Sequence, residues 1–115
     1  VSPTGAPSKQ GPVPGEPPRP SAHEEDLCET FRMLADRGRM RIVLRLRSTG
    51  ELSVSDLAAA TGLSGPACSQ QLRLLRGARL VRRRREGRNA YYSLFDAHVA
   101  ELVDLVRRHL EEARA

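Results

Sequence analysis

Between His23 and Glu112 apolar side chains recur at intervals of three or four along five stretches, with one extended segment between the fourth and fifth. The first stretch, HEEDLCETFRMLAD, sets Leu27, Phe31 and Leu34 on one helical face and opens with acids, which suit the positive end of a helix dipole. In the second, RMRIVLRLRSTG, helical spacing turns Met40, Val43, Leu44 and Leu46 inward, and Gly50 ends the run. Ser53 or Ser55 caps a third helix that passes through DLAAAT to Gly62. The fourth, LSGPACSQQLRLLRGARL, offers Ser64 as N-cap, Pro66 in the first turn and an end near Gly77. LVRRRR and NAYYSLF then read as strands joined by Glu86, Gly87 and Arg88, a β-hairpin. The fifth helix is FDAHVAELVDLVRRHLEE, with Leu102, Leu105 and Val106 at helical spacing. The expected class is mainly α with a small β-hairpin. Two short helices turning at Gly62 and Leu63 make a helix-turn-helix, and the hairpin behind them is a wing.

The fourth helix has two faces of different chemistry. With Cys68 at zero, Leu72 and Leu75 fall within about 40°, while Ser69, Gln70 and Arg73 gather between roughly 100° and 200°. The first face is core. The second suits base edges, because Gln pairs bidentately with adenine, Arg with guanine, and Ser with either. Ser64, at the helix start, is placed with these as a DNA contact, and Gln71 on the flank contacts a phosphate or braces its neighbours.

Charge strengthens that picture. The 115 residues carry a formal +5, and between Arg73 and Arg88 eight arginines meet one acid, Glu86. Residues 24–36 and 96–112 are net acidic, so the positive charge is local, as a nucleic-acid footprint is. Arg82, Arg83, Arg84, Arg85 and Arg88 are expected on backbone phosphates or in the minor groove, giving affinity and register more than sequence choice. The plainer reading is a solvated basic hairpin. Phe31, Phe95, Tyr91 and Tyr92 are the only aromatics, too few for RNA binding by stacking. No nucleophile and base constellation or phosphate-cradling glycine loop points to an enzyme.

Seven of the eight prolines lie within residues 1–20, so residues 1–22 read as a disordered arm and 23–115 as one folded domain. The sequence shows no long apolar run of the kind a signal peptide or membrane helix needs, and the expected partner is double-stranded DNA in the cytoplasm, with no membrane. Cys28 and Cys68 belong to no CxxC and read as reduced packing residues.

Two histidines in the last helix ask for more. His98, Leu102, Leu105, His109 and Glu112 form one stripe, with the imidazoles about 16 Å apart along the axis, too far for one ion within one chain. Two such helices packed antiparallel about a two-fold axis near residues 103 and 104 would bring His98 of one beside His109 of the other, twice. Asp96 and Glu112 complete two nitrogen and oxygen ligand sets of the kind zinc accepts. Spacing leaves a second reading open, in which Asp96 is an N-cap, Glu112 surface charge and the histidines are packed or solvated.

From Leu27 to Glu112 the chain resembles the ArsR/SmtB metalloregulators, small dimeric winged-helix transcription factors of bacteria. LADRGRMRIVLRL, ELSVSDLAAATGLS, ACSQQLRLLRGARLV, RRREGRNAYYSL and FDAHVAELVDLVRRHLEE carry the likeness. It implies a homodimer with the N- and C-terminal helices at its interface. Relatives that sense metal through the last helix show Asp, one residue, His, ten residues, His, two residues, then His or Glu, a pattern that Asp96, His98, His109 and Glu112 meet. The resemblance further implies that metal lowers affinity for an inverted-repeat operator, and that a relay runs from His109 to a backbone carbonyl near Arg79 and Leu80.

Departures narrow the metal. Ser53 and Ser55 stand where thiolate-using relatives carry a CxC, which disfavours soft metals and arsenite. No histidine follows His109, whereas nickel and cobalt sensors of this kind usually add ligands from a His-bearing tail. Zinc is therefore favoured, with nickel or cobalt as the alternative. LADRGR also stands where relatives usually show proline followed by a small polar residue. Two other regulators fit the same residues: a winged helix with no metal response of its own, and a DNA-binding subunit that works with a separate metal-binding co-regulator.

Overall fold

Five side-chain caps set where the helices begin. Ser21 opens α1 (Ala22–Ala35), Asp36 α2 (Arg37–Thr49), Ser53 α3 (Val54–Thr61), Ser64 α4 (Gly65–Gly77) and Asp96 α5 (Ala97–Arg114), each accepting a first-turn amide. Each such bond satisfies a donor that the helix itself leaves unpaired, worth about 1 kcal/mol. The computed structural model describes residues 14–19 and 21–115. The expected arm, residues 1–22, falls largely outside them, and α1 begins at Ala22, the last residue assigned to it. Asp36 explains how the LADRGR segment starts a helix without proline: its Oδ2 accepts the Arg39 amide at 3.0 Å.

The expected hairpin is present, as β2 (Val81–Glu86) and β3 (Asn89–Leu94), but it is two-thirds of a sheet. A third strand, β1 (Glu51–Ser53), pairs antiparallel with β3 and makes the order β1-β3-β2. The register places Val81 beside Leu94 and Leu52 beside Tyr92, so one face of the sheet covers the helices.

Behind that face, Ile42, Val43 and Leu46 of α2 meet Leu57 of α3, and Cys68, Leu72 and Leu75 of α4. Ile42 was not among the inward residues expected for α2. It is fully buried, whereas Met40 and Leu44 sit only at the core's edge. Cys68 packs as expected, but Cys28 does not: it is exposed on α1.

The two ends of the chain pack least. Leu34 is the only buried residue of α1, and α5 buries only Val99 and Val103. A two-pronged ion pair from Arg47 to Asp104 ties α5 to α2, with its shortest contact at 2.7 Å. Leu27 and Phe31 on the apolar face expected of α1, and Leu105, Val106 and Leu110 of α5, stay between 44% and 56% exposed. Several of them line an apolar groove of about 500 Å³ between α1, α2 and α5, with Met40, Leu44 and Leu102 on its walls. An open apolar face of this size on so small a domain marks a surface meant to be covered. Among the described residues no helix is long and apolar enough to cross a membrane.

Candidate nucleic-acid interface and metal-ligating helix

The turn that aims α4 depends on Gly62, which adopts a left-handed φ of 80° and returns its amide to the Ala58 carbonyl at 3.0 Å. Any other residue would be strained there. With α3 ended, Leu63 half-buried and Ser64 capping α4, the two helices meet as a helix-turn-helix. Cys68, Leu72 and Leu75 are fully buried, which leaves Ser69, Gln70 and Arg73 exposed together on the far side of α4.

Two residues grouped with these have other partners. The Ser64 hydroxyl accepts the Ala67 amide at 3.1 Å. Gln71 is half-buried, and its Oε1 accepts Nη1 of Arg39 at 2.9 Å, while Nε of the same arginine donates to the Met33 carbonyl at 2.7 Å. Of the two roles expected for Gln71, this is the brace. A Cβ at Gly38 would meet Gln71 Nε2 at an ordinary 3.7 Å and would crowd only the capping Asp36 Oδ2, at 3.2 Å.

The wing sorts its arginines by strand alternation. Val81, Arg83 and Arg85 point to one face, the side on which Val81 is buried, and Arg82 and Arg84 to the other. Arg84 lies across both oxygens of Glu51 at 2.9 and 3.1 Å, bonds Glu86 at 2.9 Å and stacks over the Tyr91 ring. Glu51 is held below its ordinary pKa chiefly by that hydrogen bond, and Arg84 is pushed up by the two carboxylates. Arg84 thus fastens β1 and β2 across the sheet. Arg82 stacks over Phe95 at 4.8 Å from the ring centre. Arg83, Arg85 and Arg88 are exposed and, among the described residues, form no ion pair, and Arg88 follows the Gly87 turn at the tip.

Between α4 and the wing, Arg79 takes a left-handed φ of 60°, with its amide on the Arg76 carbonyl and that of Leu80 on the Leu75 carbonyl. The Leu80 carbonyl accepts the Phe95 amide at 2.9 Å.

The histidine stripe of α5 does not lie on the packed face. Setting Val99 at zero puts Val103, Val106 and Leu110 within about 40°, whereas His98, Leu105, His109 and Glu112 lie about 80° to 140° around the helix. His98, His109 and Glu112 are exposed. Asp96 Oδ1 accepts the His98 amide at 2.9 Å, and its Oδ2 lies 3.2 Å from His98 Nδ1. Burial works against the Asp96 carboxylate, yet the bonds and charge of His98 hold its pKa below the ordinary value. Among the described residues, His109 and Glu112 side chains have no hydrogen-bond partner, and no three His, Cys, Asp or Glu side chains converge within one chain. Two imidazoles and two carboxylates, accessible and free of thiolate, are a donor set that suits a divalent cation of intermediate softness.

Comparison with known proteins agrees with this geometry. The family described as bacterial regulatory protein, arsR family, matches residues 36–83, the span from the α2 cap into β2. The chain is 49% identical over 89 residues to a transcriptional repressor SmtB homolog of Synechocystis sp., covering 77% of this chain and 67% of that protein. To the HTH-type transcriptional regulator NmtR of Mycobacterium tuberculosis it is 43% identical over 94 residues, covering 82% and 78%. The solved homodimeric winged helix-turn-helix domain of Mb0332 from Mycobacterium bovis, a possible ArsR-family regulator, superposes with a TM-score of 0.76 at 32% identity, covering 88% of this chain and 93% of that one. These relatives are transcriptional regulators, not enzymes.

Proposed function

The chain belongs to the ArsR family of bacterial regulatory proteins, and from that premise we propose that it is a metal-responsive repressor that binds an inverted-repeat operator as a homodimer. One observation carries the metal part of this reading: His98, His109 and Glu112 share an exposed stripe of α5 whose N-cap is Asp96, and nothing among the described residues covers these four side chains. The apolar groove beside that stripe is where a second copy would pack. Asp96 and His98 of one chain and His109 and Glu112 of the other would then hold zinc, or alternatively nickel or cobalt, at two equivalent sites. Bound there, the ion would crosslink the two α5 helices.

The DNA half uses different residues. Ser69, Gln70 and Arg73 would meet base edges in the major groove, and Arg83, Arg85 and Arg88 the phosphates beside it. A two-fold dimer sets its two α4 helices into successive grooves only at one spacing. Crosslinking the α5 pair favours a different spacing, so metal and operator oppose each other through a single coupling free energy. The ligands need not touch DNA for this to work.

A second reading draws on the Asp96 geometry. Both carboxylate oxygens already serve His98, a complete cap without an ion, which fits a winged-helix repressor with no metal response. Affinity for an operator selected from random-sequence DNA, measured with and without zinc, separates the two. The proposal requires weakening of about 5- to 150-fold on adding zinc. Equal affinity in both conditions leaves the DNA-binding role and removes the metal response.

A further inference from the structure

The groove between α2 and α5 turns basic at its outer edge. Arg41, Arg45 and Ser48 form one stripe of α2, and with Arg107 of α5 and the end of α3 they enclose a cleft of about 520 Å³. Three guanidiniums therefore face one hollow. Among the described residues none of them has a carboxylate partner, and Asp104, which feels Arg107 through space, gives its oxygens to Arg47. Like charges gathered this way repel one another unless an anion joins them.

A matching set of acids lies on the first turns of α1. Every residue from Ala22 to Glu29 is exposed, so the first two turns of α1 project beyond the domain. A helix of this length is marginal in water without packing. Its overhang carries Glu24, Glu25 and Asp26 with no basic partner among the described residues; only Glu29 is paired, with Arg32 of the next turn. Leu27 and Phe31 line the same helix further on, half exposed, and Phe31 enters the apolar groove.

Groove and cleft are continuous, sharing Leu44 and Arg107. We propose that the acidic first turns of α1 from a second copy of this chain dock in the Arg41, Arg45 and Arg107 cleft, reciprocally, as an electrostatic latch on the dimer. The inference rests on the two-fold reading above and adds the residues that select orientation. Complementary charge at the rim of an apolar interface fixes register and speeds encounter. Because the latch joins α1 of one chain to α2 and α5 of the other, it would also limit how far the two domains can rotate.

Charge exchange tests it. The Arg41→Glu/Arg45→Glu protein sets acid against acid at both latches, and Glu24→Lys/Glu25→Lys sets base against base. Each homodimer should dissociate about tenfold more readily at low salt, with the difference fading as salt screens it. A heterodimer of the two has one native latch and one reversed latch, both attractive. Mixing should therefore give more heterodimer than the statistical half, and a chain carrying all four substitutions should regain wild-type dimer affinity. Circular dichroism melts establish that each protein is folded, and the four-fold variant supplies the answer if a double variant is not. A statistical mixture with unchanged dissociation constants overturns the latch while the dimer stands. Unchanged dimerisation with weakened DNA binding assigns the cleft to DNA backbone instead and overturns it equally. A wild-type chain that stays monomeric at high concentration removes the two-fold reading and the latch together.

Discussion

Gln71 of the recognition helix accepts a hydrogen bond from Arg39 at 2.9 Å, and through that one guanidinium α4 is tied to the start of α2 and the end of α1. Among the described residues the neighbouring Gln70 has no such partner, and it is exposed. On the proposed DNA-binding reading, adjacent glutamines divide positioning from reading. Gln71→Ala should lower folding stability by about 1 kcal/mol, seen as a shifted urea midpoint, and weaken operator and random DNA alike. Gln70→Ala and Arg73→Ala should leave the midpoint unchanged and weaken operator binding alone, by about 1 to 3 kcal/mol each. Equal losses on both DNAs from Gln70→Ala would place base reading elsewhere.

The wing arginines should part company in the same way. Arg83 forms no ion pair among the described residues and lies on the face that continues from Val81, while Arg84 spans Glu51 and Glu86 on the other. Arg83→Ala is expected to reduce the slope of log affinity against log salt by about 0.9 for the lost phosphate contact, for any DNA sequence. Arg84→Ala should hardly change that slope and should instead loosen β1 from the sheet, raising amide exchange in Glu51–Ser53 and at their β3 partners. If both variants flatten the slope equally, the pairing of Arg84 does not persist on DNA.

Features set by neighbouring residues are legible in the sequence, and those set by distant partners are not. Ser64, Gly62 and Gly50 mark helix ends through chemistry that acts within a few residues, so sequence order alone exposes it. β1 escaped because three residues carry no measurable period; only pairing with β3 makes them a strand. Arg84 escaped as a brace for the opposite reason. The run of four arginines hides an alternation that Val81 could have anchored, but its partner Glu51 lies 33 residues away. The apolar faces of α1 and α5 were visible as periods, yet a period cannot say whether the chain itself or a second copy covers them. Leu27 and Leu105 stay half exposed, uncovered by the described residues.

Arg79 offers a test of stored strain. Its φ of 60° places an L side chain where glycine is at ease, at the junction that carries α4 into the wing. Arg79→Gly is expected to raise stability by roughly 0.5 to 1 kcal/mol, the relief exceeding the added freedom of the unfolded chain. A lowered denaturation midpoint would mean that the Arg79 side chain holds this junction by contacts worth more than the strain.

The α2 to α5 tie should make stability depend on pH. Asp104 is held below its ordinary pKa mainly by the Arg47 hydrogen bonds, against the opposing effect of burial, with the charges of Arg47, Arg107 and Arg108 adding to the lowering. A depressed folded value means that the contribution is fully present above the unfolded value of about 3.9 and is lost as pH falls through the folded one. Arg47 stays charged throughout, its own pKa raised by the same bond. Melting temperatures of wild type and Asp104→Asn should therefore differ most above about pH 5 and converge in acid. Comparing the two proteins removes the parallel titration of Glu51, which is common to both. A difference that persists unchanged into acid would show that Asp104 acts through shape rather than charge.

The cross-subunit metal site carries the most exposed prediction, because its symmetry dictates a result that no single-chain site can give. If each site takes Asp96 and His98 from one chain and His109 and Glu112 from the other, the His98→Ala homodimer loses a ligand at both sites, as does His109→Ala. In a heterodimer of the two variants, one site combines the damaged start of one α5 with the damaged end of the other and carries both lesions. The remaining site combines the two undamaged ends and carries neither. Mixing two proteins that bind no zinc should therefore restore one zinc per heterodimer, about one for every two dimers after statistical subunit exchange, read by equilibrium dialysis. Within a single chain the same two histidines lie about 16 Å apart along α5, so a site built there would leave every chain in the mixture defective. Apo affinity for the operator should stay near wild type in both variants, since the proposed ligands belong to α5 and its cap and the proposed base-reading side chains to α4. Mixed variants that take up no zinc would sink the shared site. Wild type that binds zinc yet holds its operator as tightly as before would keep the site and sink its regulatory role.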